Sequence, residues 1–261
     1  MSELVVENAG SVRTLTLNRP AKLNAFTASL HAELRTALSA AIIDDDVKVI
    51  VLTGEGRAFS SGQDLTEDLP RDSRGGIDLG PALERGYNPL IKQIVTSPKP
   101  TIAALNGPAV GASMNIALAC DIVLASRSAT LQEAFAKIAL IPDAGGTWLL
   151  PRLIGPKRAL ALMLTAEPVP AEEALRMGLV YKLYEDVSFR DDVAAFAAKL
   201  ALGPALAFRM IREAVLASAD NDLDAQLALE AALQRKAGAS HDFAEGVAAF
   251  LAKRAPLFQG R

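Results

Sequence analysis

The hydrophobic and polar positions of the first 125 residues follow two rhythms that predict strands and helices in turn. Residues 12–17 alternate between two differently solvated faces, as a strand does. Leu30, Leu34 and Leu38 then recur at helical spacing behind Thr27, a residue type that often caps a helix. Apolar runs bounded by Gly, Pro or Asn predict further strands at 47–53, 101–105 and 122–125, and a buried helix of small residues at 111–120.

Strands that alternate with crossover helices pair in parallel, so this pattern predicts an α/β fold. Beyond residue 155 the strand signals nearly vanish, and helical periodicity predicts helices at 159–165, 171–177, 193–202, 205–217, 223–237 and 243–253. Asp242 and Glu245 have the spacing of a capping box before the last of these. The chain therefore divides into a core, residues 1–195, and a C-terminal helical region, residues 196–261, which we expect to dock on its own core or on a neighbouring subunit.

The periodic pattern lapses between residues 66 and 83. This stretch is rich in charged residues, proline and glycine, and it can bury little apolar surface. A loop of this length inside a compact domain is either functional or disordered. A lid over a site and a disordered segment are both compatible with it.

Composition narrows the function classes. The chain has 261 residues, 51% of them hydrophobic, and a net charge of −3. The hydrophobic fraction is too high, and the charge too balanced, for a disordered chain. No apolar run reaches the ~18–20 residues of a membrane helix, and the acidic N-terminus lacks the pattern of a signal peptide. The single cysteine, Cys120, excludes an internal disulfide. We expect a cytoplasmic enzyme with no metal, no membrane contact and no nucleic-acid partner.

Three glycine-marked segments at strand exits are the candidates for chemistry. They are FSSGQDL at 59–65, NGPAVGAS at 106–113 and IPDAGGTW at 141–148. Ligands of parallel α/β proteins collect where strand ends meet helix starts, because unpaired N–H groups and helix dipoles point there. Each segment alone could be an ordinary turn. None has the G-x-G-x-x-G spacing after the first strand, and none is a P-loop that ends in GK[ST], which counts against a Rossmann-type dehydrogenase and against a P-loop protein.

In this order and spacing the segments resemble the crotonase superfamily, the enoyl-CoA hydratase/isomerase enzymes. The resemblance covers essentially the whole chain, from LTLNRPAKLNAF at 15–26 to EGVAAFLAKRAPLFQG at 245–260. IPDAGGTWLLPR and the YNPLI stretch at 87–91 are most similar to the branch that isomerises ring-epoxidised phenylacetyl-CoA in phenylacetate breakdown.

The resemblance implies a crotonase-like spiral of ββα turns, a C-terminal helical region, and a homotrimer or hexamer. It also implies an acyl-CoA thioester as substrate, so that coenzyme A arrives with the substrate and no other cofactor is needed. Two main-chain N–H groups, those of Gln63 and Ala112, are implied as the oxyanion hole. Fixed donors of this kind stabilise an enolate more than the neutral thioester. The residues implied in substrate or CoA binding are Lys22, Leu23, Ser61, Asp64, Leu65, Gly111, Asn115, Phe135, Trp148 and Lys253.

The acidic side chains at the site distinguish the reactions that members of this family catalyse. Water-adding members carry two glutamates, and the positions that match them here hold Asn115 and Phe135. Asp143 instead stands where isomerases of the family carry a single proton-shuttling acid. Glu133 lies two residues from Phe135. In a strand this offset keeps the same face but moves the side chain by about 6–7 Å, and in a helix it changes the face, so Glu133 is only a minor alternative for a role at the site.

Moving a double bond needs one group that removes a proton and returns it elsewhere, whereas hydration is served by two. If Phe135, Leu140 and Trp148 line the site, burial would raise the pKa of Asp143 towards useful basicity. Asp143 could alternatively cap the helix that starts near Gly145. Asn115 could be an ordinary buried amide or could orient the ligand.

The sequence thus predicts an acyl-CoA isomerase with Asp143 as its catalytic residue. The expected reaction converts ring-1,2-epoxyphenylacetyl-CoA to the oxepin-CoA, with double-bond shifts of unsaturated acyl-CoA as a related activity. Two alternatives stay open. One is a true enoyl-CoA hydratase, and the other is a non-catalytic protein of the same fold that binds CoA or RNA, although the acidic pI of about 5.5 speaks against RNA.

Overall fold

A computed structural model describes residues 2–67, 70–71 and 73–261, and it contains two sheets. The strands are β1 Leu4–Ala9, β2 Val12–Leu17, β3 Val49–Gly54, β4 Thr101–Leu105, β5 Ala109–Val110, β6 Ile122–Ser126, β7 Thr130–Gln132, β8 Val169–Pro170 and β9 Lys182–Tyr184. The large sheet has the order β1-β2-β3-β4-β6-β9, and the small sheet has the order β5-β7-β8. From β2 to β9 the large sheet is parallel. The predicted α/β class is confirmed.

Helices connect and cover the strands. They are α1 Ala28–Ile43, α2 Gly80–Ala82, α3 Asn88–Val95, α4 Ala112–Ala119, α5 Gly146–Ile154, α6 Pro156–Thr165, α7 Ala171–Met177, α8 Phe189–Ala201, α9 Ala205–Ala217, α10 Leu223–Gly238 and α11 His241–Leu251. A π-helical turn, Leu83–Tyr87, joins α2 to α3, and 3₁₀ turns cover Pro20–Lys22 and Ala134–Ile138. Thr27 caps α1 as predicted, since its side chain accepts a hydrogen bond from the N–H of Leu30.

The large sheet separates two apolar cores because the residues of β3 alternate between its faces. Ile50 and Leu52 pack with α1, α3 and α4 in the larger core. Val49 and Val51 face the other way and pack against α8. Both faces of the central strands are covered, which is why their sequences are continuously apolar rather than alternating. The predicted boundary at residue 195 falls inside α8, which packs against the sheet along its length. The division into a core and a C-terminal region stays a prediction.

The C-terminal helices are tied to the core at one point on α9. The guanidinium of Arg212 pairs with Asp121 and donates hydrogen bonds to the carbonyls of Val95 (2.9 Å) and Ser97 (2.8 Å). Asp121 also accepts a hydrogen bond from the N–H of Thr101. A charged group with this many partners holds α9 against the ends of α3 and β4.

The predicted capping box of the last helix is wrong. The cap of α11 is Ser240, whose side chain accepts a hydrogen bond from the N–H of Phe243. Asp242 is buried and instead accepts hydrogen bonds from the N–H groups of Gln259 and Gly260. The carboxylate is used to hold the C-terminal tail, a long-range contact that local spacing does not reveal.

The stretch predicted as a loop lies partly outside the described residues, which omit 68, 69 and 72. In the described part, Arg71 and Ile77 form an isolated antiparallel bridge, and Gly80 begins α2. The prediction that the stretch acts as a lid stays a prediction. In the described chain, no individual helix has the length and hydropathy to cross a bilayer; one pair, α8 with α9, satisfies those measures jointly but bends by 98° at its break.

Candidate active site

The first two glycine-marked segments lie side by side because the FSSG segment extends the small sheet. Ser60 pairs with Ala109 as a parallel bridge next to β5. Its N–H donates to the carbonyl of Pro108 (3.1 Å), and its own carbonyl accepts from the N–H of Val110 (3.0 Å). The hydroxyl of Ser113 also donates to the carbonyl of Ser60, at 2.8 Å. These bonds place the exit after β3 beside the first turn of α4.

Two glycines allow this close approach. Gly62 has φ +87°, and a Cβ atom there would lie 2.7 Å from the carbonyl oxygen of Val110 and 3.9 Å from the nitrogen of Ala112. Gly111 has φ 60° and ψ −130°, a conformation that is essentially confined to glycine. Within the described chain, the N–H groups of Gln63 and Ala112 donate no hydrogen bond to the protein. The structure therefore brings the two predicted oxyanion donors to one place and leaves both available.

The third segment is fastened to α4 through Asn115. The side-chain amide of Asn115 donates to the main-chain carbonyl of Asp143 at 2.9 Å. A Cβ atom at Gly146 would lie 2.3 Å from the same amide nitrogen, so only glycine fits against it. Ala112 and Asn115 are three residues apart and share a face of α4. One helix thus carries Ala112, one of the two predicted oxyanion donors, and positions the turn that holds Asp143.

The side chain of Asp143 does not cap a helix. Gly145, with φ +80°, is the residue before α5, and no side chain caps this helix. Asp143 is half-buried, and its Oδ1 atom has no hydrogen-bond partner among the described residues. Burial raises its pKa from 3.8 to about 6, partly offset by a main-chain hydrogen bond. A carboxylate of this kind is poised to accept a proton near neutral pH.

A second carboxyl group, which the sequence offers only as a minor alternative, lies nearby. Glu133 follows β7 directly, is 1% exposed, and has two carboxyl oxygens without a partner in the described chain. Burial raises its pKa to about 8, and the charge of Asp143 adds to the effect. The signal for it in the sequence is an acidic residue among the apolar Leu131, Ala134 and Phe135.

The apolar residues expected around Asp143 are only partly gathered. The ring of Phe135 is buried and lies 3.8 Å from where a Cβ of Gly111 would be, so it forms a wall beside the oxyanion donors. Leu140 is 38% exposed and Trp148 44% exposed. The guanidinium of Arg152 covers the indole ring of Trp148 at 4.1 Å from its centroid, so the outer surface of this ring is already occupied by the protein's own cation.

The side chain of Gln63 takes part in a polar chain. The hydroxyl of Tyr87 donates to its Oε1 atom at 2.8 Å. Tyr87 is buried, and its ring meets His31 edge-on at a centroid distance of 4.1 Å. Burial lowers the pKa of His31 to about 4, so its ring is neutral and packs as an aromatic group. A cavity of ≈ 340 Å³ lies here, bounded by these side chains and by Arg35 and Glu67.

Among the residues predicted to border the CoA nucleotide, three come together. Ser61 donates its N–H to the carbonyl of Leu23 (2.9 Å), and its hydroxyl reaches the carbonyl of Lys22 (3.5 Å). Leu65 is exposed. Asp64 is buried and engaged with Thr66 and Arg19, which lower its pKa to about 2. Its carboxylate therefore holds the loop together.

Lys253 lies apart from this group, just after α11, and within the described chain no contact joins it to the residues above. Its neighbour Arg254 pairs with Glu245 at 2.6 Å. A contact of Lys253 with the CoA of a neighbouring subunit stays a prediction.

The arrangement can hold a carbonyl oxygen and move a proton beside it. Within the described chain the N–H groups of Gln63 and Ala112 donate no hydrogen bond to the protein. The partly exposed carboxyl of Asp143, whose pKa is raised, lies on the turn that Asn115 of α4 holds in place. In the described residues, no group of three or more His, Cys, Asp or Glu side chains is arranged to hold a metal ion. Cys120 is buried and its pKa is raised to about 12, so it is no nucleophile.

Comparisons with known proteins agree with this geometry. Residues 7–261 match the family model described as enoyl-CoA hydratase/isomerase. The chain is 45% identical to the 1,2-epoxyphenylacetyl-CoA isomerase of Escherichia coli strain K12, covering 96% of this chain and 95% of that protein. It is 48% identical to a probable enoyl-CoA hydratase of Rhodobacter capsulatus, covering 98% and 97% of the two chains. Its structure matches that of a putative enoyl-CoA hydratase from Streptomyces coelicolor with a TM-score of 0.91, at 37% identity over 99% of this chain and 94% of that one. The crotonase-like fold is confirmed.

Proposed function

The chain belongs to the enoyl-CoA hydratase/isomerase family, and we propose that it isomerises acyl-CoA thioesters, with ring-1,2-epoxyphenylacetyl-CoA as its preferred substrate. The product is the seven-membered oxepin-CoA, and double-bond shifts in unsaturated acyl-CoA are a related activity. The observation that carries the proposal is the half-buried Asp143 carboxyl, which has a raised pKa and stands on the turn fastened to α4. The substrate is suggested by the name of the E. coli relative.

In the proposed mechanism, the N–H groups of Gln63 and Ala112 hold the thioester oxygen. Negative charge that develops on this oxygen is stabilised by donors that are already in place. The Asp143 carboxylate takes a proton from one carbon of the acyl group and returns it to another. No atom is gained or lost, so the reaction is redox-neutral and calls for no cofactor besides the CoA that the substrate carries.

Hydration is the second candidate, because the R. capsulatus relative is named a probable hydratase. Isomerisation is favoured by the wall beside the oxyanion donors. Phe135 supplies an aromatic ring there, and Glu133, the nearby second carboxyl, has both oxygens buried away from solvent. A group without exposed surface cannot activate a water molecule in the cavity. Water addition to crotonyl-CoA at a rate comparable to isomerisation would favour the hydratase instead.

Replacement of Asp143 tests the proposal directly. We expect Asp143→Asn to lower the isomerisation rate by about 10²–10⁴-fold, the usual contribution of a general acid or base. Binding of phenylacetyl-CoA, which lacks the ring epoxide of the substrate, should stay close to that of the unmodified protein when measured by calorimetry, because the oxyanion donors are main-chain groups. Asp45→Asn makes the same chemical change at an exposed residue before β3, at the end of the sheet opposite the site, and serves as the control. Full activity of Asp143→Asn would contradict the assignment.

We further propose that the chain works as a homotrimer or hexamer in the cytoplasm. Large apolar side chains stay exposed on α9, α10 and α11, which is typical of surfaces that another subunit covers. A free buried cysteine and a CoA-ester substrate suit a reducing compartment. The net charge of −3 gives no reason to expect nucleic acid as a partner, and we expect no membrane contact.

A further inference from the structure

Glu133 is a buried acid that the proposed mechanism does not use. It is 1% exposed, and neither carboxyl oxygen has a hydrogen-bond partner in the described part of the chain. An ionised carboxylate that is buried without a partner is strongly unfavourable, whereas a protonated one is neutral and can donate a hydrogen bond. The protonation state of Glu133 therefore depends on the groups that surround it.

The surroundings of Glu133 are rich in acceptors. Asn115 and Asp143 each contribute one more buried oxygen without a partner in the described residues, the Oδ1 atom of each side chain. One N–H of the Asn115 amide donates to the main-chain carbonyl of Asp143, and the interaction of this amide with Glu133 lowers the pKa of the Glu133 carboxyl, but burial, which raises it, is the larger effect. No cationic side chain is among the groups that shift the pKa of either carboxyl.

A cluster of acceptors in a low-dielectric interior is stable only if one of its members carries a proton. Two carboxyl groups that share such a site divide their protons unequally, and the more deeply buried group keeps its proton to higher pH. Burial raises the pKa of Glu133 to about 8 and that of Asp143 to about 6. Between these values Glu133 is the neutral partner.

We propose that Glu133 is a positioning residue that keeps a proton at neutral pH, donates it as a hydrogen bond within the cluster formed with Asn115 and Asp143, and so leaves Asp143 as the ionised base. The inference deepens the proposed isomerase function and rests on it. Since its oxygens are buried, Glu133 does not touch the substrate and acts through Asp143.

The proposal has a consequence for pH dependence. Ionisation of Glu133 places a second negative charge behind Asp143, which disfavours both the Asp143 carboxylate and a negatively charged enolate. Tyr87 also faces Asp143, but burial raises its pKa well above its ordinary value, so it stays neutral. The rate should therefore rise as Asp143 ionises and fall as Glu133 ionises, with the two apparent pKa values belonging to the coupled pair.

The test compares rate–pH profiles of the full-length protein and its Glu133→Gln variant, whose amide is neutral at every pH. For the unmodified protein we expect an acid limb near pH 6 and an alkaline limb near pH 8, with about a tenfold loss per pH unit beyond it. Glu133→Gln should keep the acid limb and lose the alkaline limb. An unchanged alkaline limb overturns the proposal. So does a variant as inactive as Asp143→Asn at every pH, since Glu133 would then act on the substrate.

Infrared difference spectroscopy gives a readout that needs no substrate. The unmodified protein should show the C=O stretch of a protonated carboxyl at pH 7, which titrates away near pH 8 and is missing in Glu133→Gln. In Asp143→Asn the band should titrate at lower pH, because the charge that raises the pKa of Glu133 is gone. In Asp45→Asn it should not move. A pH 7 spectrum without a band that Glu133→Gln removes overturns the proposal.

These readouts separate the inference from the proposed function. If the protein shows no isomerase activity but has the infrared band, the function is wrong and the protonated Glu133 stands. If it isomerises without the band, the function stands and the inference is wrong. Glu133→Leu is a second neutral variant for the case in which Glu133→Gln does not fold, and it should lose the same band and the same limb.

Discussion

Single residues decide how closely the backbone segments of the site approach. Gly62 and Gly146 lie where a Cβ atom would collide, with the carbonyl of Val110 in one case and with the amide of Asn115 in the other. The first glycine brings the Gln63 N–H beside that of Ala112. The second lets the Asp143 turn rest on α4. Both close approaches are possible because glycine has no Cβ atom.

Gly62→Ala should damage catalysis more than stability. The added Cβ would lie 2.7 Å from the Val110 carbonyl oxygen and would move the Gln63 N–H away from its place beside Ala112. We expect the rate to fall about 10²–10³-fold, as for loss of one oxyanion donor. The measurement is kcat together with the melting temperature.

Gly178→Ala is the matched control for this change. Gly178 has nearly the same φ, +86° against +87° for Gly62, but a Cβ there would meet nothing within 4 Å. It should lose about 1 kcal/mol of stability from backbone strain and no activity. Equal losses of activity in the two variants would show that strain, rather than displacement of the donor, is responsible.

At the scale of elements, α11 shows how a helix can be held by the segment that follows it. Buried Asp242 accepts hydrogen bonds from the N–H groups of Gln259 and Gly260, and Glu245 accepts one from Leu257. Two acids in the first turns of one helix thus fold the tail back along it. The apolar face of α11, including Phe250 and Leu251, is left exposed.

Asp242→Ala should release this tail. Two N–H groups lose their partner, and we expect a loss of about 2 kcal/mol in the free energy of unfolding measured with urea. Limited proteolysis should then cut after residue 255 in the variant earlier than in the unmodified protein. Asp222→Ala removes the cap of α10, which accepts from the N–H of Ala225. It should lose about 1 kcal/mol and leave the tail protected. A protected tail in Asp242→Ala would contradict this account.

For the whole molecule, the distribution of exposed apolar side chains is uneven. Phe243 (56%), Phe250 (82%) and Leu251 (75%) are exposed on α11, and further large side chains are exposed on α9 and α10. The same region borders a groove of ≈ 450 Å³ lined by residues of α9, α10, α11 and the tail. Such a surface is the natural place for the subunit contacts that we propose.

Phe250→Asp should therefore dissociate the oligomer. A charge placed in a buried subunit contact is costly, so the mass measured by light scattering should fall from that of a trimer or hexamer towards that of one chain of 27.5 kDa. Val187→Asp makes a comparable change at a residue that is 98% exposed outside this region, and it should leave the mass unchanged. A monomeric unmodified protein, or an intact Phe250→Asp oligomer, would refute this placement of the interface.

The local sequence was enough to predict most elements and the three segments of the site. Strand alternation, helical leucine spacing and capping by Thr27 depend on neighbours within a few residues, and they were confirmed. The short strands β5, β7, β8 and β9 were missed because their two or three residues are too few to show a period. Strand β1 was missed because most of its side chains are exposed.

Only the tertiary structure decided the contacts between residues that are far apart in the chain. Asp242 has capping-box spacing yet binds the tail, and Asp64 is engaged with Arg19. Glu133 is buried, although its spacing from Phe135 makes it only a minor candidate in the sequence. Local spacing determines which way a side chain leaves its own element. The charge state and the partners of a carboxyl depend on burial and on the groups that other elements bring to it, and these are known only once the chain is folded.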